Sequence, residues 1–291
     1  RLLEAKADVN VKDLTGMSAL LYSLQAHYEY PRVDKDMVKA LLKAKAHVDG
    51  TDENGYSALH LAVKNCRSPS LLELLLQRCT QQVQAGVDVN AQTHKGTTAL
   101  MRAVLHDAAS LPPLLDSDRA YLDARDSTGL TALIKAAYKF DTLAVKLLLD
   151  AGARWDAMHP AEIKAFAEIC SGEYDMDFLY KGHEQEGRLA RPTQKMREEN
   201  LAEVLQLLID AKADVNQKVP SFYTPLTYVA GSPELTRMLL TAGAAVDARG
   251  SGGETALMAA VLLEVRESVQ LLLDAKADVN AMDFEHKTPL K

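Results

Sequence analysis

The sequence predicts an all-α protein built from repeated helix pairs, and three observations lead to this fold class. The phrase DAKADVN stands at residues 210–216 and again at 274–280, and its relative EAKADVN stands at 4–10. Downstream comes a triplet of Thr or Ser, then Ala or Pro, then Leu. A run of two or three leucines then precedes the next phrase. A repeat with a period near ~33 residues is typical of small helical units that stack.

Each triplet predicts the beginning of the first helix of a pair. The hydroxyl of Thr or Ser can accept an unpaired backbone N–H as an N-cap. Pro225 and Pro289 would then occupy the first helical position, where no N–H is needed. The triplets begin at Ser18, Ser57, Thr98, Thr131, Thr224, Thr255 and Thr288.

Each leucine run predicts the second helix of a pair, with a wider apolar face. Neither helix can bury its apolar face alone, so the units are expected to stack into a one-dimensional core. The residue directly after the second helix is expected to take the left-handed backbone conformation, which glycine favours. This position holds Lys6, Lys45, Gly86, Gly152, Lys212, Gly243 and Lys276.

These sequence motifs, in this order, resemble the ankyrin repeat. The resemblance is clearest at 126–158, which reads DSTGLTALIKAAYKFDTLAVKLLLDAGARWDAM. The resemblance covers essentially the whole chain. It implies an all-α solenoid of helix-turn-helix units with β-hairpin or loop fingers, as one continuous domain over 1–291. About seven full repeats are expected, at 13–51, 52–91, 92–125, 126–158, 159–218, 219–249 and 250–282, with partial repeats at 1–12 and 283–291.

Two stretches interrupt the repeat pattern. Residues 25–36 (QAHYEYPRVDKD) form an insertion in the first full repeat, where Tyr28 and Tyr30 are either contact residues or covers for neighbouring helix ends. Residues 171–200 form a longer insertion, acidic and aromatic in its first part and basic in its second. Long loops inside compact domains are usually functional or disordered, so we predict that 171–200 contacts a partner or folds over the repeats.

Composition and motifs argue against several function classes. The net charge of −7 and the aromatic content of 5% do not favour nucleic-acid binding. No apolar run approaches the ~18 residues of a membrane span, so no membrane insertion is expected. Known phosphate-binding, nucleophile and metal-ligand patterns are missing, which predicts a protein that is not an enzyme, with no catalytic residues, no cofactor and no metal site.

The family resemblance implies binding to one or more proteins, through finger tips and the exposed side of the first helices. Large apolar or aromatic residues at those positions, and in the two insertions, are the predicted contacts. They are Met17, Tyr28, Tyr30, Tyr56, Leu130, Tyr138, Tyr174, Phe178, Tyr180, Tyr223, Leu262, Leu263 and Phe284. The function expected is that of a scaffold or adaptor. The alternatives left open are an accessory subunit of a large complex, and the recruiting arm of a longer enzyme or effector.

The three cysteines, Cys66, Cys79 and Cys170, are odd in number and form no CxxC pair. Such cysteines are typical of buried free thiols in a reducing, intracellular compartment. The cytoplasm is the expected location. An organelle stays open as an alternative, because the sequence begins in the middle of a repeat.

Overall fold

The computed structural model describes residues 8–25, 33–66, 69–81, 88–106, 108–117, 120–172, 194–217 and 223–289. Regular structure in these ranges is helical, apart from isolated β-bridges between the arms of short fingers. The first helices of the pairs are α1 (Ala19–Leu24), α3 (Ala58–Cys66), α5 (Ala99–His106), α7 (Ala132–Tyr138), α9 (Pro160–Ser171), α11 (Pro225–Tyr228) and α13 (Ala256–Leu262). The second helices are α2 (Lys35–Lys43), α4 (Pro69–Gln81), α6 (Leu111–Leu115), α8 (Thr142–Asp150), α10 (Gln194–Asp210), α12 (Pro233–Thr241) and α14 (Arg266–Asp274).

The predicted N-caps hold the first helices at their N-termini. The hydroxyl of Thr224 accepts the backbone N–H of Thr227 at 3.2 Å, and Pro225 occupies the first helical position. The hydroxyls of Ser18 and Thr255 accept equivalent N–H groups. In the fifth repeat, His159 replaces the hydroxyl residue, and its ring nitrogen accepts the N–H of Ala161. The triplets therefore fix where the first helices begin.

Short fingers precede the first helices. Antiparallel bridges join Lys12 to Ser18, Thr51 to Ser57, and Gln92 to Thr98. Successive fingers are joined by backbone hydrogen bonds, such as the one from the N–H of Ser127 to the carbonyl of Lys95 at 2.9 Å. The predicted hairpin fingers are thus present and stack through their backbones.

The described residues form two compact units. The first contains the described residues up to Ala136 together with 146–153, and the second contains 137–145, 154–172 and the described residues from 194 onward. Fully buried leucines and phenylalanines fill each unit, including Leu20, Leu59, Leu72 and Leu100 in the first and Phe166, Leu205, Leu226, Leu239 and Leu257 in the second. Within each unit, first helices pack on first helices, as α3 does on α1 and α5, and α11 on α9 and α13. One continuous domain over the whole chain stays a prediction.

The breaks in the repeat pattern correspond to changes in helix length. Helix α6 has five residues and begins next to Pro112 and Pro113, as expected for a short helix. Helices α2 and α10 begin inside the predicted insertions, so that the ends of 25–36 and 171–200 are helical. The rest of these two segments, 26–32 and 173–193, lies outside the described residues. Within the ranges described, no helix is both long and apolar enough to cross a bilayer.

The left-handed positions after the second helices are confirmed wherever the structure describes them. The φ angles are 63° at Lys45, 70° at Lys212 and 65° at Lys276, and they are 95° at Gly152 and 89° at Gly243. Each closes its helix with a backbone hydrogen bond, as from the N–H of Lys276 to the carbonyl of Leu273 at 2.9 Å. The lysine in the repeated phrase therefore occupies a conformation in which its Cβ is unfavourable.

We expect Lys276→Gly to raise the free energy of unfolding by roughly 0.5 to 1 kcal/mol, since glycine relieves the strain of the left-handed conformation. The gain is limited by the greater freedom of glycine in the unfolded chain and by loss of a cation at the helix C-terminus. Denaturant titration measures the change. Gly243→Lys is the matched control, because Gly243 holds the same position after α12. Nothing lies within 4 Å of the place that a Cβ would take at Gly243, so this variant should lose a similar amount of stability. Equal stability of all three proteins would contradict the expectation.

Candidate interaction surface

A groove runs along the first helices in each unit, and it uses the same helix positions in both. In α3 the groove residues are Leu61, Lys64 and Asn65, which follow the N-cap residue Ser57 by four, seven and eight positions. In α13 they are Ala259, Leu262 and Leu263, with the same offsets from Thr255. Residues at i, i+3 and i+4 share one face of a helix, so α3 and α13 each present one short stripe to a groove.

The N-terminal groove, in the first unit, is polar. Its volume is about 450 Å³, and its lining includes Tyr22, Lys64, Asn65 and Arg102. The Asn65 amide donates to the carbonyl of Leu24 at 2.9 Å. The buried guanidinium of Arg102 lies over the Tyr56 ring at 4.5 Å from its centroid. Several polar groups of this groove are therefore already engaged with the chain itself.

A finger carboxylate is bound to the first-helix stripe in two repeats of the first unit. The Tyr22 hydroxyl donates to Asp13 at 2.6 Å. Hydrogen bonds, first from Tyr22 and then from Thr15, lower the pKa of Asp13 to about 2, and the same contact raises the pKa of Tyr22. Three repeats further along the chain, at the same position of α7, the Lys135 ammonium lies 2.7 Å from a carboxylate oxygen of Asp126. Different donors thus make the same connection between a finger and its first helix.

The Asp126–Lys135 pair is buried, with side-chain exposures of 6% and 2%. Burial opposes ionisation of Asp126, but the charge of Lys135 and its hydrogen bond outweigh burial, so the pKa of Asp126 lies below its ordinary value. Asp126 also accepts the backbone N–H groups of Thr128 and Leu130. The pair holds a finger against its helix and is not placed to contact a partner.

The C-terminal groove, in the second unit, is larger and apolar. Its volume is about 1010 Å³, and its apolar lining includes Tyr223, Tyr228, Met258, Val261, Leu262 and Leu263. Leu262 is 84% exposed, Leu263 56% and Tyr223 42%. The rings of Tyr223 and Tyr228 meet edge to face, with centroids 5.5 Å apart. A contiguous set of exposed apolar side chains on a helical scaffold is typical of a binding surface.

Charged groups at this groove are mainly acidic. Glu254, Glu264, Asp283 and Lys287 line it. The Lys287 ammonium lies 2.5 Å from the Glu285 carboxylate, which raises the pKa of Lys287 through that hydrogen bond. The groove therefore combines an apolar wall with carboxylates whose charge is only partly balanced.

The structure places the predicted contact residues in different surroundings. Tyr223, Leu262 and Leu263 come together in the C-terminal groove. Tyr56 is half-buried and lines the N-terminal groove, while Phe284 is 71% exposed on the last finger, where its backbone N–H donates to the carbonyl of Gly252. Outside the described residues lie Tyr28, Tyr30, Tyr174, Phe178 and Tyr180, for which a contact role stays a prediction.

The expected exposure is wrong for Met17, Leu130 and Tyr138, which are 7%, 3% and 3% exposed. Met17 and Leu130 follow finger turns closed on Asp13 and Asp126, which accept their backbone N–H groups. The turn directs both side chains into the stack. The Tyr138 hydroxyl donates to the Glu168 carboxylate of α9, so the next first helix covers it. We therefore leave these three residues out of the proposed contact surface.

Among the groove residues that sequence reasoning missed are Tyr228, Met258, Val261 and Glu264. The sequence could have indicated two of them. Met258 lies four residues before Leu262 on the same helix, and Tyr228 follows the N-cap residue Thr224 by four positions, as Ala259 follows Thr255. Of the cysteines, Cys170 is a free thiol as predicted, and burial raises its pKa well above the ordinary range. The side chains of Cys66 and Cys79 lie outside the described part of the chain.

Comparison with known proteins identifies the family. The family described as ankyrin repeats (3 copies) matches residues 1–85 and 195–283. These segments make up more than half of the chain, and the chain therefore belongs to the ankyrin-repeat family. The predicted fold class is confirmed.

Among known relatives, the mouse nuclear factor NF-kappa-B p105 subunit is 37% identical over 150 residues, which are 50% of this chain and 14% of the relative. The mouse B-cell lymphoma 3 protein homolog is 37% identical over 123 residues, 42% of this chain and 27% of the relative. The chain thus spans a minor part of each relative's length. The crystal structure of the ankyrin repeat domain of Bcl-3, described as a unique member of the IkappaB protein family, matches with a TM-score of 0.56 and 25% identity, over 82% of this chain and 92% of that one.

Proposed function

We propose that this protein is a non-catalytic adaptor, and that it binds a protein partner in the C-terminal groove. The observation that carries the proposal is the exposure of Leu262 and Leu263 beside Tyr223 in one apolar hollow. When a partner covers these apolar side chains, their surface is removed from water, and this burial favours binding. Burial of one such leucine contributes about 1.5 to 3 kcal/mol.

The scaffold under the groove supports this role because it is already ordered. Helix α13 is capped by Thr255, and its buried face holds Leu257 and Ala260 in the core. Leu263 also packs against the preceding repeat. Its Cδ1 lies 3.3 Å from the place that a Cβ would take if Gly231 carried one. A partner would therefore meet side chains whose backbone does not need to reorganise, which lowers the entropy cost of binding.

The N-terminal groove is less suited to the same task. Asn65, Arg102 and Tyr22 in its lining contact other groups of the chain, so a partner would have to replace those contacts. Its apolar lining is small, and Leu61 and Met17 are buried. We therefore assign the main contact area to the second unit, with Phe284 at its edge as an additional contact residue.

The test compares Leu262→Asp with Leu143→Asp. Leu143, on α8, is 59% exposed and does not line the groove, so its change controls for adding a charge to an exposed leucine. Partners are captured from cell extract with the 291-residue chain, identified by mass spectrometry, and their affinities measured with purified protein. At least one directly binding partner should lose about tenfold or more in affinity with Leu262→Asp and be unchanged with Leu143→Asp.

Thermal unfolding of both variants shows whether the fold is intact. If every direct partner binds Leu262→Asp as tightly as it binds the unaltered chain, the groove is not the docking site. A catalytic turnover by the purified chain alone would contradict the non-catalytic part of the proposal.

A further inference from the structure

Glu264 stands at the edge of the C-terminal groove in a sterically unfavourable backbone conformation. It follows α13 with a φ of 58°, and its N–H donates to the carbonyl of Val261 at 3.0 Å. The next N–H, of Val265, donates to the carbonyl of Ala260 at 3.0 Å. This pair of bonds closes the helix in the way that normally favours glycine.

The equivalent residue after α7 shows what compensates for such strain elsewhere. Phe140 has a φ of 51°, and its N–H donates to the carbonyl of Ala137, so it holds the same position. Phe140 is 1% exposed and packs in the core. Glu264 is exposed, and within the described ranges its carboxylate makes no hydrogen bond or ion pair. Strain without a structural compensation is a reason to look for a functional one.

Among the carboxylates that line the groove, Glu264 has the most remaining capacity to accept hydrogen bonds. Glu254 accepts the backbone N–H of Gly252 at 3.0 Å, and Asp283 accepts the backbone N–H of Lys287 at 2.8 Å. The Lys287 ammonium is held by Glu285. An incoming cation would therefore meet a negative potential and one carboxylate ready to pair with it.

We infer that the groove selects a protein segment in which a lysine or arginine stands next to an apolar side chain. The apolar side chain contacts Leu262 and Leu263, and the cation pairs with Glu264, which directly follows them. This inference rests on the proposed function and adds the chemistry of the partner. Glu264 is thus a specificity residue, and a charged hydrogen bond at the rim of an apolar contact gives direction to an otherwise non-directional surface.

A random 12-residue peptide library displayed on phage and selected on the immobilised 291-residue chain tests the inference. The unaltered chain should enrich peptides with Lys or Arg within two residues of a large apolar residue. Glu264→Lys should shift the enrichment towards Asp and Glu at that place. Asp274→Lys, an equal charge change at an exposed residue of α14 that does not line the groove, should leave the enrichment unchanged.

Affinities of a selected synthetic peptide provide the second readout. Glu264→Gly suits the backbone conformation and removes the charge, so it should weaken binding about tenfold while the protein remains folded. Leu262→Asp should abolish binding. If no peptide binds in a manner that depends on Leu262, the proposed function fails together with the inference.

Two other outcomes overturn the inference and leave the groove intact. In the first, selected peptides depend on Leu262 but carry no enriched cation and bind Glu264→Lys equally well. In the second, the chain self-associates through this surface in sedimentation experiments, Leu262→Asp abolishes the association, and peptides do not compete. The occupant would then be a second copy.

Discussion

Lys135→Met is expected to lower the free energy of unfolding by about 3 kcal/mol or more. The ammonium of Lys135 is 2.7 Å from Asp126, and both side chains are almost fully buried. Methionine preserves much of the volume of the lysine stem but leaves the carboxylate without its counter-charge. Removing one partner of a buried pair costs about 3 to 5 kcal/mol, because an uncompensated charge stays behind. Denaturant unfolding at pH 7 measures the loss.

The pH dependence of this loss separates charge from packing. In the unaltered protein the pKa of Asp126 is lowered, so the pair contributes stability above the pKa of an unfolded aspartate and loses it as the pH falls below about 4. In Lys135→Met the charge of Lys135 no longer opposes burial, so the pKa of Asp126 should lie higher than in the unaltered protein, although the hydrogen bonds from Thr128 and Leu130 remain. The difference in stability between the two proteins should therefore shrink as the pH falls, because a protonated Asp126 needs no counter-charge.

Two controls accompany this prediction. Lys39→Met removes an exposed lysine that lies 3.8 Å from Asp36, with exposures of 56% and 94%, and it should change stability by less than about 1 kcal/mol. Lys135→Met combined with Asp126→Asn should recover part of the loss, since no charge is then buried. A loss that is independent of pH and is not reduced in the double variant would mean that packing dominates and that the ion pair contributes little.

The repeat pattern predicted what each unit requires locally. Thr224 and Thr255 cap helices because a side chain must accept a backbone N–H there, and the need for such an acceptor recurs along the chain. Lysine is left-handed at positions 45, 212 and 276 because the chain must turn at the same point after each second helix. Such requirements depend on a few neighbouring residues, so they can be read directly from the sequence.

Contacts between repeats were harder to predict. The burial of Tyr138 depends on Glu168, 30 residues further along the chain, and no recurring sequence motif identifies that partner. The sequence analysis also did not foresee a buried lysine at position 135 of α7. Both cases depend on which side chain a neighbouring unit presents, and this is not encoded in the consensus of one unit.

The candidate site was predicted in part. Leu262, Leu263 and Tyr223 were chosen one by one, as large residues at positions expected to face solvent, and the structure brings the three into one groove. The acidic rim was not predicted, because Glu264 belongs to the turn after α13 and only its φ of 58° distinguishes it from an ordinary surface residue. Three-dimensional convergence and backbone strain are not visible in a list of residue types.

Gly96→Ala is expected to lower the free energy of unfolding by about 2 to 4 kcal/mol. Gly96 stands at a finger turn with a φ of 74°. A Cβ there would lie 2.9 Å from the Cα of Asp126 and 3.0 Å from the backbone nitrogen of Ser127, in the next finger. The left-handed conformation costs an alanine roughly 1 to 2 kcal/mol. The clash adds to this cost, because the opposing atoms belong to the backbone and cannot move aside as a flexible side chain can.

Gly152→Ala separates these two effects within the same unit. Gly152 has a φ of 95°, but nothing lies within 4 Å of the position of its Cβ. Only backbone strain should act there, partly offset by the lower freedom of alanine in the unfolded chain, for a loss of about 1 kcal/mol. Hydrogen exchange should also increase at the N–H of Ser127 in Gly96→Ala, since its bond to the carbonyl of Lys95 at 2.9 Å spans the same contact. Equal losses in the two variants, with Ser127 exchange unchanged, would mean that the fingers are not closely stacked and that the repeats are joined by their helices alone.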